Sequence, residues 1–191
     1  MRGLFLYGAS CTGRIWDKIR NGFSGFETEY ASYPHAVAQS AESVWDVTSR
    51  VYEKYKFGGF DFIAGHSMGG IIALEPLASY GLEAKNVILI DSNLRPAKEF
   101  YRNLMLPHNM EKYGRQVLDM IKGESRFYSE ALKRSLHTDF DYTGYIKSIS
   151  CNIFGICGDH YMIGALTICA WTMIYKKGLV LDLSGTHDVC Q

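Results

Sequence analysis

Ser67 stands in the stretch Gly65-His66-Ser67-Met68-Gly69, a G-x-S-x-G pattern whose glycines clear the space needed by a strained strand-to-helix turn. A serine hydroxyl attacks a carbonyl only with a base to take its proton, a carboxylate to orient that base, and N–H donors for the oxyanion. Of the six histidines, His187 has the best position for the base, because "SGTHDV" follows the last apolar run of the chain. Three carboxylates are candidates to orient it. Asp91 ends the run "NVILID", and Asp159 follows the next run, "CNIFGI", in "GICGDH". Asp188, beside His187, is a third candidate.

The Met68 amide, at the start of a helix, is one candidate oxyanion donor. The second is the Ala9 amide, in "YGASCTGRIW" just after the first apolar run. That loop also reads as a tight turn with Ser10 or Thr12 as a helix cap, and both readings can hold. A phosphate-cradling loop is the alternative for the serine turn, but it would place Lys and then Ser or Thr after its glycines, where Met68-Gly69-Gly70 stands. His66 adjoins the nucleophile on the turn and reads as a packing residue pointing elsewhere. His35, His108 and His137 read as surface residues, and His160, beside Asp159, as a residue that lines a pocket without reacting. With a serine nucleophile, Cys11 has no catalytic task.

These residues are positioned by short apolar runs that alternate with amphipathic stretches. The runs are at 3–7, 26–32, 60–65, 86–91, 151–156 and 179–184, several of them apolar throughout, as strands covered on both faces should be. Val44, Val47, Val51 and Tyr55 recur at helical spacing after Ser40, read as the N-cap, and "MGGIIALEPLASYG" reads as a helix ending at Gly81. Pro76 inside that helix predicts a kink or an early start. The expected fold is α/β, with a mostly parallel, doubly wound sheet of about six strands and its ligand site at the carboxyl ends of the strands.

A chain of 191 residues is the length of one ordinary domain, here 1–191. Twenty basic and twenty acidic side chains leave no net field to draw the protein to nucleic acid or an anionic membrane. No apolar run is long enough to span a bilayer, and "MRGLFLYG" is too short in its apolar part for a signal peptide, so the expectation is a cytoplasmic protein. Five cysteines with no C-x-x-C pair argue against a disulfide framework and a zinc site. No metal or organic cofactor is expected.

"YGASCTGRIW", "GHSMGG" and the terminal "GTH" together resemble the α/β-hydrolase superfamily over nearly the whole chain. A narrower likeness is to the thioesterase domains of peptide and polyketide synthases. In these, "GHSMGGIIALEPLASYGLEAKNVILIDS" is similar to the elbow, a helix with an internal Glu, and a strand ending in "DS", and "AWTMIYKKGLVLDLSGTH" is similar to the closing elements. That likeness implies Asp91 as the acid, whereas most other α/β-hydrolases place it after the next strand, which implies Asp159. The chain looks like a minimal α/β-hydrolase fold, without the usual leading strands and closing helix, and the face this leaves favours a homodimer or a docking partner.

Residues 95–147 occupy the position of a helical lid in that fold. They carry Phe100, Tyr101, Leu104, Met105, Met110, Tyr113, Leu118, Met120, Phe127 and Tyr128, which are able to line an acyl pocket or simply to pack. From Arg95 to Arg134, nine Lys or Arg stand against five Asp or Glu, a net +4 that suits an acidic acyl or peptidyl carrier protein or a coenzyme A thioester. The expected activity is a serine thioesterase releasing its acyl group to water or to an internal nucleophile. The alternatives are a small carboxylesterase and a non-catalytic ligand-binding protein on the same fold.

Overall fold

Along the central strands, Leu4, Leu6, Ile63, Val87 and Leu89 alternate with Phe5, Phe62, Ala64, Ile88 and Ile90, so each strand offers apolar side chains to both faces of the sheet. The computed structural model describes residues 1–95, 114–138, 140–157 and 180–182. Its strands are β1 (Arg2–Leu6), β2 (Glu27–Tyr30), β3 (Gly59–Phe60), β4 (Phe62–His66), β5 (Glu83–Ala84), β6 (Asn86–Ile90), β7 (Asn152–Cys157) and β8 (Val180–Asp182). Six form one parallel sheet in the order β2-β1-β4-β6-β7-β8, as the alternating pattern predicts.

The helices are α1 (His35–Ser40), α2 (Val44–Tyr55), α3 (Met68–Ser79), α4 (Gly114–Ser125), α5 (Glu130–Ser135) and α6 (Thr143–Ser148). On one face, α2 and α3 pack Val44, Val47, Val51, Ile71, Ile72 and Leu74 onto Leu4, Leu6, Ile63 and Val87. Burying such side chains contributes about 1.5–3 kcal/mol each. On the other face, Phe5 gathers Trp16, Phe23, Tyr30 and Phe62 at centroid distances of 4.9–5.5 Å, with Trp16 and Phe23 supplied by two short 3-10 turns, Gly13–Trp16 and Arg20–Phe23.

Three expectations change in detail. Ser40 does not cap α2; it is the last residue of α1, its hydroxyl donates to the Ala36 carbonyl at 2.9 Å, and a capping box of Ser43 and Asp46 starts α2. The run at 60–65 is split, because Arg2 and Asp61 bond to each other (Asp61 N–H to Arg2 O 2.8 Å, Arg2 N–H to Asp61 Oδ2 2.8 Å) and turn the chain between β3 and β4. Gly59–Phe60 pairs instead with Glu83–Ala84 in a separate two-stranded sheet. Pro76 lies inside α3, which starts at Met68, where the sequence pattern starts it, and runs through Ser79, stopping before Gly81 in the left-handed conformation (φ 74°).

Sheet order locates the site. The chain leaves β1 outward to β2, then returns to β4 on the other side of β1, so the direction of winding reverses between β1 and β4. A crevice opens at the carboxyl ends of two such strands, because their connections leave in opposite directions.

Candidate active site

Ser67 lies at that crevice. It follows β4 directly, is the N-cap of α3, and has φ 53° and ψ −122°, a conformation that costs a residue with a side chain about 1–3 kcal/mol. Its surroundings hold it there. The Ser67 amide donates to the Ile90 carbonyl at 2.9 Å, the Gly70 amide donates to the Ser67 carbonyl at 2.9 Å, and the buried Ser92 hydroxyl donates to the Gly65 carbonyl at 3.1 Å. The turn can be this tight only because Gly65 lacks a side chain: a Cβ there would lie 2.3 Å from the Gly69 carbonyl oxygen. The Ser67 side chain makes no capping bond to α3, which leaves its hydroxyl available for other chemistry.

The loop after β1 closes over this turn. A Cβ on Gly8 would lie 2.8 Å from Ser67 Cβ and 3.0 Å from His66 Nδ1, so backbone and serine are in direct contact. Ala9 follows, half-buried, and Ser10 adopts φ 56° in a turn closed by the Cys11 amide on the Gly8 carbonyl at 3.2 Å. Met68, the first residue of α3, is buried, and its amide is in the first helical turn, where N–H groups lack intrahelical partners. The structure thus brings Gly8 against Ser67 at the head of α3.

Asp91 belongs to the same edge. His66 pairs with Ile90 in the parallel register, so Ser67 and Asp91 are the next residues on neighbouring strands. Asp91 is also left-handed, with φ 44°, and its amide donates to the Ile156 carbonyl at 2.9 Å. His66 is set between aromatic and acidic neighbours. Its ring meets Trp16 edge to face at 6.4 Å, and Nδ1 is buried with no hydrogen-bond partner among the described residues. Burial holds its pKa below the ordinary value, with the Asp91 charge acting in the opposite direction. His187, Asp159, Asp188, His108 and His160 lie outside the described residues.

Cys11 is buried, as a thiol with no catalytic task should be, and burial pushes its pKa up to about 11. His35 is exposed, as expected of a surface residue, with Nε2 2.9 Å from Glu124 Oε2 and its ring stacked on Phe127 at 3.7 Å. Of the aromatic and apolar residues between 95 and 147, Tyr128 is buried in the core and Met120 accepts the Thr12 hydroxyl at 3.6 Å, whereas 96–113 lie outside the described residues. In the basic stretch from Arg95 to Arg134, Arg95 pairs with Asp141, outside that stretch, at 2.7 Å, which offsets one of its charges, and Lys133 pairs with Glu130 inside it at 2.8 Å.

Sequence reasoning missed Ser92, and missed that Ser10 and Asp91 are left-handed. Nothing short of the turn geometry could have revealed them. A cleft of about 490 Å³, lined by Phe60, Asp61, Leu77, Lys85 and Ile149 among others, opens at the amino ends of β4 and β6, away from Ser67. Asp61 and Lys85 pair with each other there at 2.6 Å. Among the described residues no cluster of His, Cys, Asp and Glu could hold a metal ion, and no helix is long and apolar enough to cross a membrane.

The parallel sheet, the reversal of winding and the left-handed serine between β4 and α3 define the α/β-hydrolase fold. Solved structures of this fold are similar to the chain throughout. A hydrolase from Oleispira antarctica matches with TM-score 0.76 and 12% identity, over 96% of this chain and 82% of that one. A lipase-esterase related protein from Clostridium acetobutylicum matches with TM-score 0.69 and 14% identity, over 96% and 85%. A structure from a study of carboxylesterases of the thaumarchaeon Nitrososphaera gargenis matches with TM-score 0.65 and 16% identity, over 96% and 82%. No protein-family model and no curated protein matches the sequence.

Proposed function

We propose that the protein is a serine hydrolase of the thioesterase type, in which Ser67 attacks the carbonyl of an acyl thioester. One observation carries this reading: Ser67 is held at φ 53°, ψ −122° at the winding reversal, against Gly8 and at the head of α3. His187 takes the serine proton and returns it to the leaving thiol. Asp91 orients the imidazole, and the Ala9 and Met68 amides hold the oxyanion.

Chain reach supports His187. Parallel strands lie about 4.8 Å apart, so the three spacings from β4 to β8 amount to about 14 Å. His187 is five positions beyond Asp182, the end of β8, and five residue steps can span up to about 17 Å. Asp91 is favoured over Asp159 by its place one strand from Ser67 and its left-handed backbone, and by the thioesterase likeness of "LIDS".

In this reading residues 1–191 form one domain, residues 95–147 are its helical lid, and the net positive charge there meets an acidic carrier protein or coenzyme A. A second reading, a carboxylesterase acting on free oxygen esters, is favoured by the names of the similar structures. Fluorophosphonate labelling of the parent and of Ser67→Ala tests the nucleophile; labelling that persists in the variant removes it. Relative kcat/KM for acyl-pantetheine thioesters and matched p-nitrophenyl esters decides between the two substrates.

A further inference from the structure

Among the described residues, three that carry a side chain have left-handed backbones: Ser10 at φ 56°, Ser67 at φ 53° and Asp91 at φ 44°. They follow β1, β4 and β6, three adjacent strands, at the carboxyl edge of the sheet. Such a conformation is costly for a residue with a Cβ, and residues held in it cluster where a site needs them. Ser67 and Asp91 have tasks in the mechanism proposed above. Ser10 has none.

The ordinary reasons for a serine at such a place do not apply. The Cys11 amide donates to the Gly8 carbonyl at 3.2 Å, which closes a turn with Ala9 and Ser10 at its corners. Glycine or asparagine takes a positive φ at the third position of such a turn at least cost, so the backbone does not call for serine. Helix capping does not call for it either. Thr12 caps the 3-10 turn Gly13–Trp16, its Oγ1 accepting from the Arg14 amide at 3.3 Å. The Ser10 hydroxyl makes no hydrogen bond among the described residues, and the residue is half-buried, so the group is not sealed from solvent. Its place is at the site: Gly8, two residues before it, lies against Ser67. Ala9, the proposed oxyanion donor, directly precedes it; across a trans peptide consecutive Cα atoms are about 3.8 Å apart, and no described peptide is cis.

We propose that the Ser10 hydroxyl is a third donor to the oxyanion formed on attack by Ser67, beside the Ala9 and Met68 amides, and that the turn keeps a left-handed serine in order to keep this donor. The inference rests on the serine-hydrolase reading. A hydrogen bond made only to the oxyanion lowers the barrier without tightening the binding of substrate, so its loss falls on kcat and spares KM.

The test compares the parent with Ser10→Gly and Ser10→Ala. Both lack the hydroxyl, but glycine frees the turn whereas alanine keeps the restraint of a Cβ. A p-nitrophenyl ester provides kcat and KM, a trifluoromethyl ketone mimics the oxyanion, and circular dichroism reports the fold. The expected result is a fall in kcat of about 10- to 10²-fold in both variants, KM within about twofold of the parent, and weaker inhibition by the ketone in proportion to kcat/KM. Parent kcat in either folded variant, or a rise in KM alone, overturns the donor role; a loss confined to Ser10→Gly would assign the effect to a loosened turn. Ser10→Gly, which relieves the backbone, decides the outcome if Ser10→Ala does not fold. Failure of the parent to label at Ser67 with a fluorophosphonate overturns the underlying reading, and the donor role with it. Labelling with unchanged variant kinetics overturns the donor role alone.

Discussion

Gly8 lies directly against Ser67: a Cβ on Gly8 would be 2.8 Å from the Ser67 Cβ, closer than real Cβ atoms approach. The loop after β1 and the turn after β4 therefore meet without a side chain between them. Gly8→Ala must push the two apart, and the expected outcome is a loss of kcat of about 10- to 10²-fold in a protein that still folds. Steady-state kinetics alongside a thermal melt checks it. Parent-like kcat would show that the Gly8 contact does not set the geometry of the site.

Ser67 is strained by its own backbone, and glycine adopts φ near 53° without that penalty. Ser67→Gly is expected to lose activity by about 10³-fold or more while becoming more stable by about 1 kcal/mol. Urea unfolding of the two proteins measures the second effect. A less stable variant would mean that the turn is not strained at Ser67.

Asp91→Asn and Asp159→Asn separate the two candidate acids. An amide in place of the orienting carboxylate leaves the imidazole in the wrong tautomer, so the correct site should lose roughly 10²- to 10⁴-fold in kcat. Asp91→Asn is expected to show the loss and Asp159→Asn near-parent turnover. The reverse pattern would transfer the role to Asp159.

Glu75 is buried inside α3, with the Tyr145 hydroxyl 3.5 Å from Oε1 and no partner on Oε2 among the described residues. Burial raises its pKa above 4.5, outweighing its hydrogen bond from Tyr145. The folded state then holds the proton more tightly than the unfolded chain, so this group's contribution is fully present below about pH 4.5 and is lost as pH rises through the folded value. Glu75→Gln removes the titration. Relative to the parent, the variant should gain stability as the pH is raised from 4 to 8, as read from urea midpoints at several pH values; a constant difference would refute a raised pKa.

The serine turn was legible in the sequence because all its requirements are local. Glycines at 65 and 69, an apolar strand before Ser67 and a helix after it are adjacent in the chain, and backbone sterics alone restrict what such a stretch can do. Strand placement was legible too, because a strand buried on both faces must be apolar along its length, and only its ends were blurred, as at Asp61. Ser40 misled because a serine before an apolar periodicity reads the same whether it caps that helix or closes the one before it.

By itself, then, the order of residues determined the elbow, the parallel sheet and the edge at which chemistry could occur. Tertiary structure decided that Gly8 touches Ser67, that Ser67 and Asp91 are neighbours across β4 and β6, and that the Tyr33 hydroxyl donates to the Tyr7 carbonyl at the start of the loop after β1. These contacts join residues 24 to 59 positions apart in the chain. No local pattern encodes them, because hydrogen bonds and close contacts depend on where strands pair and which loops meet at an edge. That is fixed only when the sheet order places β1 beside β4 and β4 beside β6.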